Sequence, residues 1–338
     1  MGQDARVTIK DVAREAAVSI STVSKVLNHP EYGSAEVRQR VLDTVRRLDY
    51  QPHAIARSLV TRRSRTIGLI LPDLSNPVFP IVARGVEHAV RKYGYGLILC
   101  NTDRDHQTER NYVRMFLEKR VDGIIFFAVL NRDDIQMIRS RNISTVVIER
   151  PLDVPDVDLI RVDNVDGGYL ATRHLIGLGH ARIGWVGGHE GVIENERLQG
   201  YRTALKEAGL GEDDRLIRAC DYTVEDGKRV ALDLLRLRNR PTAVFAACDI
   251  MAVGVLRAAE ALGLSVPRDL ALVGYDDTLG VYTSPPLTSV AQPLPDMARE
   301  AVRLLIQRLH HPERIAYQNV VFKPRLVVRQ SCGAPRAG

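Results

Sequence analysis

A chain of 338 residues exceeds the length at which a single hydrophobic core usually stops growing, so two or three domains are expected. Its 45% hydrophobic and 26% charged content is typical of a globular protein, and the lack of any run of eighteen apolar residues argues against a membrane span. The formal net charge of +6 is unevenly placed, since residues 1–65 hold 12 of the 47 Lys and Arg but only 7 of the 41 Asp and Glu.

This basic N-terminal segment predicts a module that binds a polyanion such as DNA and is attached to a nearly neutral body. The first fifteen residues, MGQDARVTIKDVARE, are polar and include acids. They are unlike the apolar core of a secretory signal, which predicts a cytoplasmic protein. The four cysteines form no CxxC pair and the nine histidines show no metal-binding spacing. We therefore expect reduced thiols, no metal and no cofactor.

The first fifty residues predict three short helices. Thr8 and Asp11 have the spacing of a capping box that opens the first helix. Ser19 is placed to cap the second helix and Ser34 the third. Two short helices joined by a tight connection and braced by a third form a helix-turn-helix arrangement.

The second predicted helix, ISTVSKVLN, has an unusual outward face. Its apolar stripe is formed by Val23, Val26 and Leu27. The opposite face holds short hydroxyls, an amide and one base: Ser21, Ser24, Lys25 and Asn28. A merely solvated face would favour Glu, Lys, Gln or Arg, which cost little in helix propensity. Small polar side chains instead allow a helix to approach the DNA major groove closely.

Pro52 ends this unit, and the following segment, HAIARSLVTRRSR, predicts a short helix with a basic tail. A helix of about eight residues is unstable alone in water, so we expect it to fold only against a partner.

From residue 66 onward, apolar strand-like runs alternate with amphipathic helices, which is typical of parallel sheets covered on both faces. The runs form two series, at 67–71, 95–100, 123–128 and 145–149, and then at 182–187, 242–248 and 270–275. Helices are predicted at 79–93, 165–178, 194–208 and 250–262. Two doubly wound subdomains follow, with crossings of the chain near 162–164 and 292–293. The cleft between such subdomains is a typical ligand site.

Five ordered motifs extend over this chain: VTIKDVAREAAVSISTVSKVLN, PHAIARSL, IGLILPDLSNPVF, RPTAVFAACDIMAVG and LVGYDD. Together, from Val7 to about Arg329, they resemble the lactose/galactose-repressor (LacI/GalR) family of transcription regulators. The resemblance implies an all-α helix-turn-helix head joined to an α/β core, like a periplasmic binding protein, of two doubly wound parallel-sheet subdomains. The implied boundaries are 1–51 for the head, 52–65 for a hinge helix and linker, and 66–338 for the core. Within the core, the N-subdomain comprises 66–162 and 293–330 and the C-subdomain 163–292.

The family implies a homodimer that binds a pseudo-palindromic operator, acts as a repressor, and responds to a small-molecule effector between the core subdomains. We expect a neutral sugar or sugar derivative. The alternative is a regulator that needs no small ligand and is controlled by a protein coregulator.

The resemblance also assigns DNA contacts within the head. Ile20, Ser21 and Lys25 match base-reading positions, where Lys25 donates to guanine and Ile20 packs on a thymine methyl group. Ser19 serves chiefly as the helix cap. Phosphate contacts are expected from Thr8, Thr22, Ser24 and Asn28.

Within the hinge segment, the resemblance places Leu59 as the leucine that wedges between the central base pairs from the minor groove, with Ala56 as its close neighbour. His53 and Arg57 are expected to read or hold the minor groove. The alternative for Leu59 is a linker residue that packs on the body.

For the effector, the resemblance places Arg197 and Asp276 as anchors of ligand hydroxyls and Tyr222 as a ring that stacks on the ligand. Asn76 and Phe79 are expected on the amino-terminal wall. Weaker candidates are Asp163, Asp249 and Gln292, of which the two acids could instead cap helices and Gln292 could belong to the hinge. The alternative for Arg197 and Asp276 is a structural salt bridge between subdomains.

Two departures from the family bear on the ligand. Gly191 and Ile193 replace polar groups that bind purine in the purine-responsive relative, which argues against a purine. Cys248 replaces an amide of the lactose-responsive member.

Three other classes of protein agree less well with the sequence. A sugar-binding transport protein would need a signal sequence and would lack the basic head. An enzyme is not indicated, because the sequence contains no GxSxG, P-loop or post-strand GxGxxG motif. An architectural DNA-binding protein would have an inert body that ignores every small molecule.

Overall fold

The computed structural model describes residues 7–28, 31–50, 63–128, 131–149, 156–189, 191–311 and 316–334. The chain divides into two compact units, a head at residues 1–64 and a core at residues 65–338.

The head contains the three predicted helices, α1 (Ile9–Glu15), α2 (Ile20–Asn28) and α3 (Ala35–Arg47). Each helix begins at its predicted cap. At the start of α1, the Asp11 carboxylate accepts a hydrogen bond from the Thr8 backbone N at 3.0 Å. Ser19 Oγ accepts from the amide of residue 22 at 3.0 Å to cap α2, and Ser34 Oγ accepts from the amide of residue 37 at 3.3 Å to cap α3. Their apolar faces meet in one small core, whose buried members include Val12, Ala13, Ala16, Val23, Val26, Val41 and Tyr50.

The core alternates strands and helices along the chain. Its first part consists of β1 (Thr66–Leu71), α4 (Val78–Lys92), β2 (Gly96–Asn101), α5 (His106–Lys119), β3 (Gly123–Phe127), α6 (Arg132–Arg139), β4 (Ser144–Ile148) and β5 (Asp158–Val162). Its second part consists of α7 (Asn164–Gly177), β6 (Ile183–Gly187), α8 (Val192–Glu207), a 3-10 turn (Asp214–Leu216), β7 (Ile217–Ala219), α9 (Val224–Leu235), β8 (Ala243–Ala246), α10 (Asp249–Ala261), β9 (Ala271–Asp276) and β10 (Thr288–Ala291). The last elements are α11 (Leu294–His310), β11 (Asn319–Phe322) and β12 (Arg325–Val327).

Within the described residues these strands form two sheets of six. The first sheet has the order β11-β5-β4-β3-β1-β2 and is parallel throughout. The second has the order β12-β10-β9-β8-β6-β7 and is parallel except for the edge pair β10–β12. Helices cover both faces of each sheet, so the central strands are buried on both sides. We call the two halves the first lobe and the second lobe.

The chain passes between the lobes three times. The crossings after β5 and after β10 lie where the sequence predicted them. The third, between β11 and β12, was not predicted. The expectation that 293–330 lie wholly in the first subdomain is therefore wrong for β12, because Arg325–Val327 pairs antiparallel with β10 of the second sheet.

Each of the four cysteines is buried and free. In the part of the chain that the structure describes, no helix combines the length and the apolar character needed to cross a membrane.

Candidate functional site

The outward face of α2 presents the side chains that the sequence assigned to DNA. Ser21 and Lys25 are exposed, as is Ile20, and Thr22 and Ser24 are partly buried. Ser19 Oγ lies 2.7 Å from Ser21 Oγ and 2.8 Å from the hydroxyl of residue 22, so three hydroxyls cluster at the start of the helix. This end of α2 offers short polar groups and one large apolar side chain to an approaching surface.

Lys25 is the cation of this face and has weak partners. Its ammonium lies 3.5 Å from the hydroxyl of Tyr32 and 4.9 Å from the centre of that ring. Tyr32 itself is exposed. An ammonium has three donors, so Lys25 retains donors for a base or a phosphate. Tyr32 was not predicted as a site residue; it follows the segment HPE, which separates α2 from α3.

Of the remaining residues predicted to contact DNA, the structure describes the side chain of Thr8 but not the others. Thr8 is exposed, and its hydroxyl donates to the Asp11 carboxylate at 2.7 Å; this bond and the backbone bond from Thr8 lower the pKa of Asp11. The side chain of Asn28 lies outside the described residues. So do four residues of the predicted hinge, His53, Ala56, Arg57 and Leu59.

A cavity of about 310 Å³ lies between the two lobes, at the carboxyl ends of the strands of both sheets. Six of the eight side chains predicted to contact the effector line it: Asn76, Phe79, Arg197, Tyr222, Asp276 and Gln292. Gly191, Ile193 and Cys248, which mark the departures from relatives, also line it.

Arg197 is fixed deep in this cavity by α8. Its Nε donates to Asn164 Oδ1 at 2.9 Å and its Nη1 to the backbone carbonyl of Ala247 at 2.5 Å. Its guanidinium lies 3.7 Å above the Tyr275 ring centre. Helices α7 and α8 pack closely because Gly168 lies against the backbone carbonyl of Arg197, where a Cβ would collide.

Asp276 faces Arg197 without forming a hydrogen bond to it, since Nη2 and Oδ1 are 3.9 Å apart. Both residues belong to the second lobe, so the alternative of a salt bridge between subdomains is wrong. Asp276 has a left-handed backbone, with φ of 100°, at the end of β9. Its Oδ1 accepts from Gln292 Nε2 at 2.6 Å. Burial raises the pKa of Asp276 to about 7, although the charge of Arg197 opposes this.

Gln292 leaves an acceptor unused. Its Oε1 is buried and has no hydrogen-bond partner among the described residues. Because a buried acceptor without a donor costs free energy, this atom favours a ligand that donates a hydrogen bond.

Glu149 is a second buried carboxylate of the cavity and was missed from the sequence. Its oxygens accept from the Val162 backbone N at 2.7 Å and from Asn164 Nδ2 at 3.2 Å, so it joins the cavity wall to the first crossing. Burial raises the pKa of Glu149 to about 7, and the Val162 hydrogen bond and the charge of Arg197 oppose the rise. Two buried carboxylates thus share one fixed guanidinium.

The apolar walls of the cavity come from both lobes. Phe79, in the first turn of α4, packs edge-on against Phe127 with ring centres 5.0 Å apart. Asn76 Oδ1 accepts from the Val78 backbone N at 3.1 Å and so orders the start of α4. On the opposite side, the ring of Tyr222 faces the guanidinium of Arg104 at 4.6 Å. The cavity therefore offers aromatic surface beside buried acceptors.

The two weaker acidic candidates do not line the cavity. Asp163 caps α7 by accepting from the amide of residue 166 at 3.0 Å, and its other oxygen pairs with Lys323 at 2.9 Å. Asp249 accepts from the backbone of residues 278 and 279 and from Ser289 Oγ, between 2.7 and 3.0 Å. Both carboxylates are occupied within the protein, which corrects their assignment as ligand contacts.

The site also contains residues that were not predicted from the sequence, and four of them matter most to its geometry: Arg104, Glu149, Asn164 and Tyr275. A signal existed for the last three, because they follow or end an apolar strand-like run or stand at a predicted crossing. The sequence around Arg104, NTDRDH, carries no such signal.

Comparison with known proteins places this architecture in a family. The sequence model described as "Bacterial regulatory proteins, lacI family" matches residues 8–53, and "Periplasmic binding protein-like domain" matches residues 172–332. The HTH-type transcriptional regulator DegA of Bacillus subtilis is 37% identical over 332 residues, covering 96% of this chain and 98% of that protein. The ribose operon repressor of Haemophilus influenzae is 38% identical over 327 residues, with coverage of 96% and 98%.

Solved structures agree. The transcriptional regulator CelR in complex with cellobiose is 34% identical, with a TM-score of 0.74, over 96% of this chain and all of that one. The lac repressor dimer bound to operator and the anti-inducer ONPF is 26% identical, with a TM-score of 0.87, over 97% and 100%. The protein belongs to the LacI family of bacterial transcription regulators and is a DNA-binding regulator rather than an enzyme. The family membership and the fold class predicted from the sequence are thereby confirmed.

Proposed function

We propose that the protein is a cytoplasmic repressor that binds a pseudo-palindromic operator as a homodimer and whose operator affinity is set by a neutral sugar in the cleft. The observation that carries the effector part is the cavity, where the aromatic rings of Phe79 and Tyr222 stand beside Arg197, Asp276 and the unused acceptor of Gln292. Aromatic faces and charged hydrogen-bonding groups are the combination that recognises sugar rings and their hydroxyls.

The DNA part rests on α2. Ile20, Ser21 and Lys25 are exposed on one end and face of this helix, as base contacts require. In a helix-turn-helix dimer the two recognition helices enter major grooves about one helical turn apart, roughly 10 base pairs. We infer that Lys25 reads guanine and that Ile20 packs on a thymine methyl group.

The homodimer is supported by apolar side chains on the surface of the second lobe. Val281 is 64% exposed and Tyr282 is 82% exposed, next to each other in the loop after β9. Large exposed apolar side chains that are adjacent mark a surface for a protein partner, and tyrosine is enriched in such interfaces. We infer that a second copy covers them.

The neutral class of ligand follows from the charges around the cavity. Four acids line it, Glu149, Glu194, Asp221 and Asp276, against the two arginines Arg104 and Arg197. Even with Glu149 and Asp276 partly protonated near pH 7, the cavity holds no excess of positive charge that would attract an anionic effector, whereas hydroxyl donors find several acceptors. The built cavity also favours a small effector over control by a protein coregulator alone.

The test selects operator sites from a random duplex library with the full-length protein and then titrates the best site with cellobiose, ribose and other neutral sugars. We expect a pseudo-palindrome, a steep loss of affinity with added salt, and a change of operator affinity with one class of neutral sugar. Enrichment of asymmetric or random sequences would refute the operator proposal. Operator affinity that ignores every sugar but responds to acidic metabolites or to a protein would refute the effector proposal.

A further inference from the structure

A cation from one lobe covers an aromatic ring of the other at the cavity between them. Arg104 lies in the first lobe, between β2 and α5, and Tyr222 lies in the second lobe, between β7 and α9. The guanidinium carbon of Arg104 is 4.6 Å from the ring centre of Tyr222, within the range of cation–π attraction. Both side chains line the cavity.

The Arg104 guanidinium has little else to hold it. Its nearest carboxylate, Asp73, is 3.9 Å away, which is too far for a hydrogen bond. Besides this ion pair the guanidinium contacts the ring of Tyr222, and the side chain remains 41% exposed. Within its own lobe the guanidinium is thus held by one long ion pair, without a hydrogen bond to Asp73.

The backbone around Arg104 is held in a conformation that costs free energy. Asp103 and Arg104 are consecutive left-handed residues, with φ of 50° and 61°, and neither is glycine. The turn is fixed by a hydrogen bond from Asn101 Nδ2 to the Asp103 carboxylate at 2.6 Å and by one from the Arg104 amide to the Pro72 carbonyl at 3.0 Å. Such strain persists only where the surrounding structure maintains it, and it is commonest at functional sites.

We propose that Arg104 is a further residue of the effector site, a latch that stacks on Tyr222 and holds the two lobes together until a ring-bearing ligand takes its place. The second half of this proposal rests on the proposed effector function, since Tyr222 is the ring expected to stack on the ligand. Ligand and Arg104 compete for one face of the ring. The latch therefore selects against effectors that lack a ring able to replace it.

The size of the effect follows from the contact. An exposed cation–π pair shifts an equilibrium by about two- to fivefold. Loss of the latch should thus increase the open fraction of the ligand-free protein by about this factor.

Two native cysteines provide the readout. Cys220 and Cys248 are buried and line the cavity, whereas Cys100 and Cys332 are buried elsewhere. Thiols of the cavity become accessible when the lobes separate, so their rate of labelling reports the open fraction. The experiment treats the full-length, ligand-free protein with N-ethylmaleimide and measures labelling at each cysteine by peptide mass spectrometry.

Arg104→Ala should increase the labelling rates of Cys220 and Cys248 about two- to fivefold and leave those of Cys100 and Cys332 unchanged. Arg114→Ala is the matched control, because Arg114 is an exposed arginine on α5 that does not line the cavity. It should label like the wild type. Tyr222→Leu should reproduce the effect of Arg104→Ala, and the double variant should show no further increase.

Three results would overturn the latch. Unchanged rates in Arg104→Ala would show that the contact does not hold the lobes. An increase at all four cysteines would indicate general destabilisation, and an undiminished Arg104 effect in the Tyr222→Leu background would show that the ring is not its partner. No effector is used, so failure of every sugar to bind would refute the proposed effector while leaving this test intact.

Discussion

Within the described residues, each lobe of the core contains one buried arginine–aspartate pair, and the two pairs differ in geometry. In the first lobe, Arg308 donates to Asp158 through Nε at 2.6 Å and through Nη2 at 2.9 Å, which is a bidentate pair. The Asp158 carboxylate also accepts from the backbone of Gln318. In the second lobe, Arg197 and Asp276 are equally buried, but Arg197 Nη2 and Asp276 Oδ1 are 3.9 Å apart.

The difference separates a structural pair from a binding pair. The donors and acceptors of the first pair are satisfied within the protein, so this pair has the structural role of joining α11 to β5. The second is oriented by Asn164 and Gln292, yet the gap between its partners faces a cavity. Burial alone does not distinguish the structural pair from the binding pair, because both pairs are buried. The hydrogen bonds that remain unmade indicate the ligand site.

The largest effect is expected from breaking the complete pair. Arg308→Leu leaves Asp158 buried without its partner, which should lower the free energy of unfolding by about 3–5 kcal/mol. Urea denaturation followed by circular dichroism measures the loss. Arg303→Leu is the control on the same helix, because Arg303 is exposed and its partner Glu300 is partly exposed, so that the pair is worth at most about 1 kcal/mol. Equal losses in the two variants would remove the distinction between the pairs.

The incomplete pair should respond in the opposite manner. Asp276→Asn keeps the shape of the side chain but removes its charge, so the affinity for the sugar found by operator titration should fall about 10- to 100-fold. Stability should change much less, since a buried charge is removed as well. Isothermal titration calorimetry measures the affinity. Asp163→Asn, outside the cavity, should bind the sugar nearly as the wild type does, and a loss as large as that of Asp276→Asn would restore Asp163 to the site.

Much of the fold could be predicted because central parallel strands are buried on both faces and read as apolar runs. Strands without that signature were missed. In β10, Thr288 and Ser289 are buried but polar, and Ser289 is satisfied by Asp249. Strands β7 and β12 are three residues long, and β11 is an edge strand with partly exposed side chains. The third crossing was missed with them.

A site residue could be predicted from the sequence when its role depends on neighbouring residues in the chain, and could not when its role depends on contacts with distant residues. Arg197 and Asp276 lie in motifs that resemble the family. Glu149 acquires its role from Val162 and Asn164, which reach it across a crossing of the chain. Arg104 acquires its role only from a ring more than a hundred positions away. No local pattern contains such a juxtaposition.

In the head, Lys25 resembles Arg197 because it is a cation with hydrogen-bond donors left for a ligand. Lys25→Ala should weaken operator binding roughly tenfold and relax preference at one base pair of each half-site, because a base contact is lost. Fluorescence anisotropy with the selected operator and its single-base variants measures this. Arg46→Ala, an exposed arginine of α3, should not change the base preference. An equal loss on operator and random duplex would make Lys25 a phosphate contact instead.

The smallest effect concerns the excess of carboxylates around Arg197. Because the pKa of Glu149 is raised from 4.5 to about 7, the folded protein holds a proton that the unfolded chain releases between these values. Stability should therefore fall as the pH rises through this window, by about 1 kcal/mol over a unit near pH 6. Glu149→Gln removes this titration and also lowers the pKa of Asp276, whose rise depends in part on Glu149. In urea titrations between pH 5 and 7, the unfolding free energy of this variant should depend less on pH than that of the wild type. The same pH dependence in both proteins would show that Arg197 already neutralises both acids.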